Sequence, residues 1–238
     1  MSTPPATVLF WDIDGTLLTT DRAGISAWEG AVLARTGVRL NLASTRTAGL
    51  TDGQIAASLL GRCAVDPKPE EVARLLRAYE ALLPAALAAG RGGVLDGVEE
   101  ILGTLPGPPV ALSLLLTGNT AAGAQAKLGR YGLASSFPAG GAFCEGAGPR
   151  SEIAERALDT ATRLAGSAPD LERVFVIGDT PHDIACAHAI GARAIAVATG
   201  GYDLTTLEQA GPWTALAGLP PAGEFAALVG LANGAAVA

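Results

Sequence analysis

Val8-Leu9-Phe10-Trp11-Asp12-Ile13-Asp14-Gly15-Thr16 is the stretch that decides the fold. Its four leading apolar residues have the length and character of a short buried strand. Two carboxylates follow where strand gives way to loop. A buried strand does not end in two neighbouring like charges unless something compensates them, because each costs free energy on leaving water. A cation compensates both, so the placement asks for a metal. In extended backbone, residues two apart point the same way. Asp12 and Asp14 can therefore face one centre, as a nucleophile beside a general acid. The competing reading is a surface turn, since Asp-Gly is a common turn pair.

Outward from this stretch, the chain alternates strands and helices. Residues from about Asp21 to Ala89 read as helical: Ala23 to Ala34, Asp52 to Leu60 with Thr51 or Asp52 as N-cap, and Glu70 to Ala88 with Pro69 near its first position. Pro84 inside the third stretch is expected to kink or split it. Gly90-Arg91-Gly92-Gly93 marks a boundary. Beyond it come a short helix from Gly97 to Leu102, an apolar strand from Val110 to Leu116, and a helix from Ala121 to Tyr131 capped by Thr120 or Asn119. A helix from Ser151 to Leu164, a strand from Arg173 to Ile177, a helix around Ala185 to Ile190 and a strand from Arg193 to Ala198 complete the series. The tail after about Leu231 reads as small and frayed. This alternation predicts an α/β fold with a doubly wound parallel sheet, and such sheets bind ligands beyond the carboxyl ends of their strands. Four strand ends carry polar candidates that the fold would gather at one edge: Asp12 with Asp14, Thr117 with Asn119, Asp179, and Thr199.

Composition narrows the function. The 238 residues suffice for one large domain, or one domain with an insert, and 49% hydrophobic content supplies a core. With 23 acidic against 16 basic residues the net charge is -7, which argues against a general nucleic-acid binder but not against a small anionic substrate held at a local positive site. Three cysteines without regular spacing give neither a disulfide framework nor a zinc pattern, and two histidines exclude a His-rich metal site. The N-terminus lacks a basic n-region, and Asp12 and Asp14 interrupt its apolar stretch, so no signal peptide is expected. No run approaches a membrane span. The expectation is a cytoplasmic protein with no membrane and no nucleic-acid partner, monomeric or homodimeric.

Gly178-Asp179-Thr180-Pro181-His182-Asp183 is the second constellation. Thr180 reads as an N-cap, Pro181 as the first helical residue and Asp183 as its capping-box partner, so Asp183 has a purely structural explanation. Asp179 has none. With Asp12 and Asp14 it would complete a set of hard oxygen ligands of the kind that suits Mg²⁺. His182 and His188 read as surface residues of this helix. Thr117-Gly118-Asn119 offers a hydroxyl and backbone donors at a helix start, which suits phosphate, though taken alone these residues read better as an ordinary N-cap cluster. Arg150, before a helix, can clamp a phosphate or stand on the surface.

Asp12-Ile13-Asp14-Gly15-Thr16-Leu17, Thr117 after an apolar strand, a basic residue before a helix, and Gly178-Asp179 with Asp183 together resemble the four ordered motifs of the haloacid dehalogenase superfamily. The likeness covers the whole chain. It implies a Rossmann-like core of residues 1–20 and 91–238, with 21–90 as a small all-helical cap of C1 type. It implies that Asp12 is the nucleophile forming an aspartyl-phosphate and Asp14 the acid and base. Mg²⁺ would sit on the Asp12 carboxylate, the Asp14 backbone carbonyl and Asp179, with Asp183 in support. Thr117 and Arg150 would hold the phosphoryl oxygens. Gly15, Gly118 and Asn119 would line the substrate site, joined by Arg46 or Thr47 from the loop Arg46-Thr47-Ala48-Gly49-Leu50-Thr51-Asp52. The basic residue of the third motif is usually Lys. This chain has only Lys68 and Lys127, so Arg150 is the candidate by position.

The dehalogenase branch lacks a carboxylate at the place of Asp14. The expected activity is therefore a Mg²⁺-dependent phosphatase acting on a small phosphorylated substrate, similar to phosphoglycolate phosphatases. The alternatives are a phosphomutase similar to β-phosphoglucomutase, or a catalytically silent binding or regulatory module on the same fold.

Overall fold

The computed structural model describes residues 6–231, so the expected frayed tail lies outside the described residues. The sequence folds as a six-stranded sheet in which every pairing is parallel. Its strands are β1 (Thr7–Trp11), β4 (Ala111–Leu116), β5 (Gly141–Ala142), β6 (Val174–Gly178), β7 (Arg193–Val197) and β8 (Thr214–Leu216), in the order β5-β4-β1-β6-β7-β8. The chain runs outward from β1 through β4 to β5, then returns to the other side of β1 for β6, β7 and β8. The strand carrying Asp12 thus lies at the switch in direction, where open α/β sheets form their ligand crevice.

Alternation along β1 splits the core in two. Val8 and Phe10 join Leu114, Val176 and Ala196 under α6 (Arg150–Ala165), α7 (Pro181–Ala189) and α8 (Leu204–Gln209). Leu9 and Trp11 join Leu115, Ile177 and Ile195 on the opposite face, under α4 (Val98–Thr104), α5 (Ala121–Arg130) and α9 (Ala222–Leu228). All five residues of β1 are buried. A strand covered on both faces reads as a continuous apolar run, and that is how Val8 to Trp11 reads.

Residues after β1 leave the sheet through β2 (Leu18–Thr19), and the chain returns through β3 (Gly93–Val94), which pairs antiparallel with it. Between these two crossings lie α1 (Ala23–Thr36), α2 (Asp52–Arg62) and α3 (Pro69–Ala89). They share a hydrophobic cluster of their own that includes Trp28, Val32, Leu59, Leu75, Tyr79 and Leu83. Trp28 and Tyr79 stack face to face with ring centroids 3.9 Å apart. Thr51, not Asp52, is the N-cap of α2, in a reciprocal capping box with Gln54. Of the two outcomes expected at Pro84, a kink or a split, the split is corrected: α3 runs unbroken from Pro69 to Ala89. Pro84 is exposed, so the carbonyl that loses its donor can turn to water while the buried face of α3 continues.

The helical insert docks on the carboxyl edge of the sheet. The Asp52 N–H donates to the Gly118 carbonyl at 2.7 Å, and the Asp52 carboxylate accepts from the Thr120 N–H at 2.8 Å. The Gly53 N–H meets the Cys144 Sγ at 3.2 Å. No helix among the described residues is long and apolar enough to cross a membrane.

Candidate active site

Residues from the carboxyl ends of β1, β4, β6 and β7 line one cavity of about 430 Å³, roofed by the insert. Asp12, Asp14, Gly15, Thr117, Gly118, Asn119, Arg150, Asp179, Thr199 and Thr47 all face it. The four strand ends singled out in the sequence therefore converge.

Its floor is acidic. Asp12, Asp179 and Asp183 are buried and each offers an oxygen within 4.8 Å of the others. Asp183 takes the part predicted for a capping box: Thr180 is the N-cap, Pro181 opens α7, and the Asp183 carboxylate returns to the Thr180 N–H at 3.0 Å and hydroxyl at 2.7 Å. Its other oxygen meets Arg150. Asp183 thus ties the Thr180 cap to Arg150 and still stands with Asp12 and Asp179 in the acidic cluster.

Arg150 is the first residue of α6 rather than the residue before it, and it is 7% exposed. Its guanidinium lies 3.1 Å from Asp12 Oδ1 and pairs with Asp183. It also donates to the Gly49 carbonyl of the insert at 3.3 Å. Burial pushes the Asp12 carboxyl up to about 6, against the pull of Arg150 and with the help of Asp183 and Asp14. Burial, then Asp183 and Asp12, push Asp179 up to about 8, which a hydrogen bond from Thr16 only partly offsets. Three buried carboxylates sharing one guanidinium are short of positive charge. This donor set of hard, desolvated oxygens fits a divalent cation.

Backbone shape gives Asp179 its room. Gly15 has φ +83°, and a Cβ there would lie 2.5 Å from the Asp179 carboxylate; a Cβ on Gly200 would overlap it. Gly15 is thus required both by its left-handed backbone and by the closeness of the carboxylate.

Asp14 turns away from the acidic floor. Its side chain, 41% exposed, accepts from Lys127 Nζ at 2.5 Å and from Asn119 Nδ2 at 2.9 Å. Lys127 also donates to Asn119 Oδ1 at 2.5 Å, which fixes the orientation of that amide. Asn119 Nδ2 further donates to the Thr117 hydroxyl at 2.8 Å, and Thr117 hydrogen-bonds Asp12. A continuous polar chain thus joins the two motif aspartates through Thr117, Asn119 and Lys127. Burial works to lower the Lys127 pKa, but Asp14, Tyr79 and Asp52 outweigh it and keep the ammonium charged.

Lys127 is the site residue that reading the sequence missed. It sits mid-helix in α5, where a lysine ordinarily faces water. The available signal was its register: Ala124, Lys127 and Leu128 share the buried face of α5. Asp52, read only as a possible cap, is a buried cavity residue whose carboxyl burial pushes up to about 6. Of the two loop candidates, Thr47 lines the cavity, whereas Arg46 is exposed and lays its guanidinium over the Tyr202 ring, 5.3 Å from the centroid. His182 is exposed, yet its ring rests on Gly49 of the insert, where a Cβ would overlap it. His188 lies on the surface as expected, 3.0 Å from the Gly211 carbonyl.

A parallel α/β core with its acidic crevice at the switch point defines a class. The family model for haloacid dehalogenase-like hydrolases matches residues 9–188, and the chain belongs to that family. Among curated proteins it is similar to the probable phosphatase IndB of Dickeya dadantii (strain 3937), 28% identical over 209 residues that make up 86% of each chain. Among solved structures, a hydrolase from Pseudomonas syringae superposes with a TM-score of 0.70 at 21% identity, covering 95% of this chain and 100% of that one. A predicted phosphoglycolate phosphatase from Haemophilus somnus 129pt superposes with a TM-score of 0.65 at 14% identity, covering 94% and 98%. At these identities the structural likeness speaks for the fold.

Proposed function

We propose that this protein is a Mg²⁺-dependent phosphatase of small phosphate monoesters, of the same type as phosphoglycolate phosphatases, working in the cytoplasm with residues 21–90 as a C1-type cap. The observation that carries this reading is the division of labour between the motif aspartates. Asp12 lies in the acidic floor beside Arg150, and Asp14 stands across from it on Lys127 and Asn119. A dehalogenase has no use for the second carboxylate, whereas phosphoryl transfer needs a proton donor for the leaving oxygen.

Asp12 and Asp179 would hold the cation with their carboxylates, and the Asp14 carbonyl would join them. When bound, the ion supplies positive charge against the phosphoryl oxygens and the acidic floor. Arg150 and the Thr117 hydroxyl orient the phosphoryl group over Asp12, so that positioning and charge neutralisation carry the chemistry. An Asp12 carboxylate oxygen attacks phosphorus, the bond from phosphorus to the leaving oxygen breaks, and Asp14 gives that oxygen its proton. Asp14 then takes a proton from water, the water oxygen attacks phosphorus, and the bond to Asp12 breaks to release inorganic phosphate. The docked insert keeps bulk water from the first step.

Asp12→Asn is expected to abolish hydrolysis of p-nitrophenyl phosphate with Mg²⁺; retained turnover would sink the mechanism. A phosphomutase would use the same residues, and it is distinguished by isomeric phosphate ester accumulating in place of inorganic phosphate.

A further inference from the structure

The cavity continues past the phosphoryl end into a lobe between core and insert. Three buried groups there keep hydrogen-bonding capacity that no described residue uses. Asp52 is 5% exposed and receives the Thr120 N–H on Oδ2, while Oδ1 accepts nothing. Tyr79 is 1% exposed with its ring stacked on Trp28, and its hydroxyl makes no hydrogen bond. Lys127 is 5% exposed and spends two of its three N–H groups on Asp14 and Asn119. All three line the cavity. Structural roles account for one oxygen of Asp52, the ring of Tyr79 and two protons of Lys127. They leave an acceptor, a hydroxyl and a donor facing the same space, and buried polar groups are rarely left so.

Charge is balanced around this lobe: Lys127 pairs with Asp14, and Arg22, which gives its Nη2 to the Leu42 and Ala43 carbonyls, lines the same cavity as Asp52. What the lobe offers a leaving group beyond an apolar wall is therefore hydrogen bonding. Trp28 and Tyr79 stack on one another, each covering one face of its partner.

The geometry points to a hydroxyl-recognising subsite in which Asp52, Tyr79 and Lys127 select phosphate monoesters whose leaving group carries hydroxyl groups, as in small polyols, over plain alkyl esters. This rests on the phosphatase reading and narrows its substrate class. A site built to hydrogen-bond hydroxyl groups discriminates strongly against analogues that lack them, because its own buried groups are then left unpaired.

The test compares kcat/KM of the Mg²⁺-loaded protein for glycerol 3-phosphate and sorbitol 6-phosphate with that for n-propyl phosphate, p-nitrophenyl phosphate being run alongside. The better polyol ester should exceed propyl phosphate by about 100-fold or more. Tyr79→Phe, which keeps the stack on Trp28, and Asp52→Asn should each cut the polyol-to-propyl ratio by about tenfold. Reading a ratio within one protein removes any common loss from misfolding. The same order should appear in binding to the Asp12→Asn protein, followed by tryptophan fluorescence. Propyl phosphate turned over as well as the polyol esters overturns the inference and leaves the phosphatase reading standing, as does a ratio unmoved in both variants. No turnover of any ester, p-nitrophenyl phosphate included, overturns both.

Discussion

Replacing Arg150 by Met keeps an unbranched apolar stem and removes the only cation paired to the acidic floor among the described residues. Arg150 is 7% exposed and pairs with Asp12 and Asp183, which are 5% and 2% exposed. Taking one partner from a buried pair leaves uncompensated charge, a loss of about 3–5 kcal/mol. For a chain of this size each kcal/mol moves Tm by about 2–4 °C, so the metal-free variant should melt roughly 6–20 °C below the parent. The assay is calorimetry in EDTA at pH 8, where the carboxylates are least able to escape by protonation. At pH 6 the deficit should shrink: without the guanidinium the pKa of Asp12 climbs above its present value of about 6, and the folded state gains stability by taking up the proton. On the proposed mechanism, which gives Arg150 a phosphoryl oxygen to hold, turnover should fall by about 100–1,000-fold. Melting within 2 °C of the parent at pH 8 would refute the claim that Arg150 holds the floor together.

Two further predictions follow from the same cluster. In metal-free parent protein, burial holds the folded Asp12 carboxyl up at about 6 and the Asp179 carboxyl up at about 8, above the ordinary 3.8 that both regain on unfolding. Between these limits the folded state holds more protons than the unfolded, so stability should fall as pH rises from about 5 to 8, and the stabilisation given by Mg²⁺ should grow over the same range; Tm against pH with EDTA and with Mg²⁺ checks both slopes. Gly200→Ala would push a methyl group into the Asp179 carboxylate and should weaken Mg²⁺ binding by about 10–100-fold in a calorimetric titration, whereas Gly103→Ala, with nothing near its added carbon, should not.

The sequence exposes those parts of the fold that obey a local rule. Val8 to Trp11 reads as a doubly buried strand because both of its faces are covered, and Thr180-Pro181-His182-Asp183 reads as a helix start because the capping chemistry is complete within four residues. The short strands β2, β3, β5 and β8 are invisible locally, because two or three residues carry no period and their pairing comes from distant chain. Pro84 does not split α3, because its cost depends on which side of the helix faces water. In the site, Asp12, Asp14, Thr117, Asp179 and Arg150 could be placed because each stands at the end of a strand or the start of a helix. Lys127 and Asp52 could not, since what defines them is the seam between insert and core. Arg46 and Thr47 are neighbours whose separation, one onto Tyr202 and one into the cavity, depends on the course of a loop.

The central position of β1 also sets the order in which this molecule can be made. Its partners β4 and β6 come far later in the chain, and the hydrogen bond from Thr16 to Asp179 spans 163 residues. The α1–α3 unit lies between them, with local contacts and its own apolar cluster. Short-range helical contacts form fast and distant parallel strand pairs form slowly. On a ribosome the insert can be complete while Asp12 still waits on an unpaired strand, and Asp179 arrives only after about 90 further residues. The helical insert can therefore be folded before the cavity it borders exists, and the acidic floor of Asp12, Asp179 and Asp183 assembles as one of the last acts of folding.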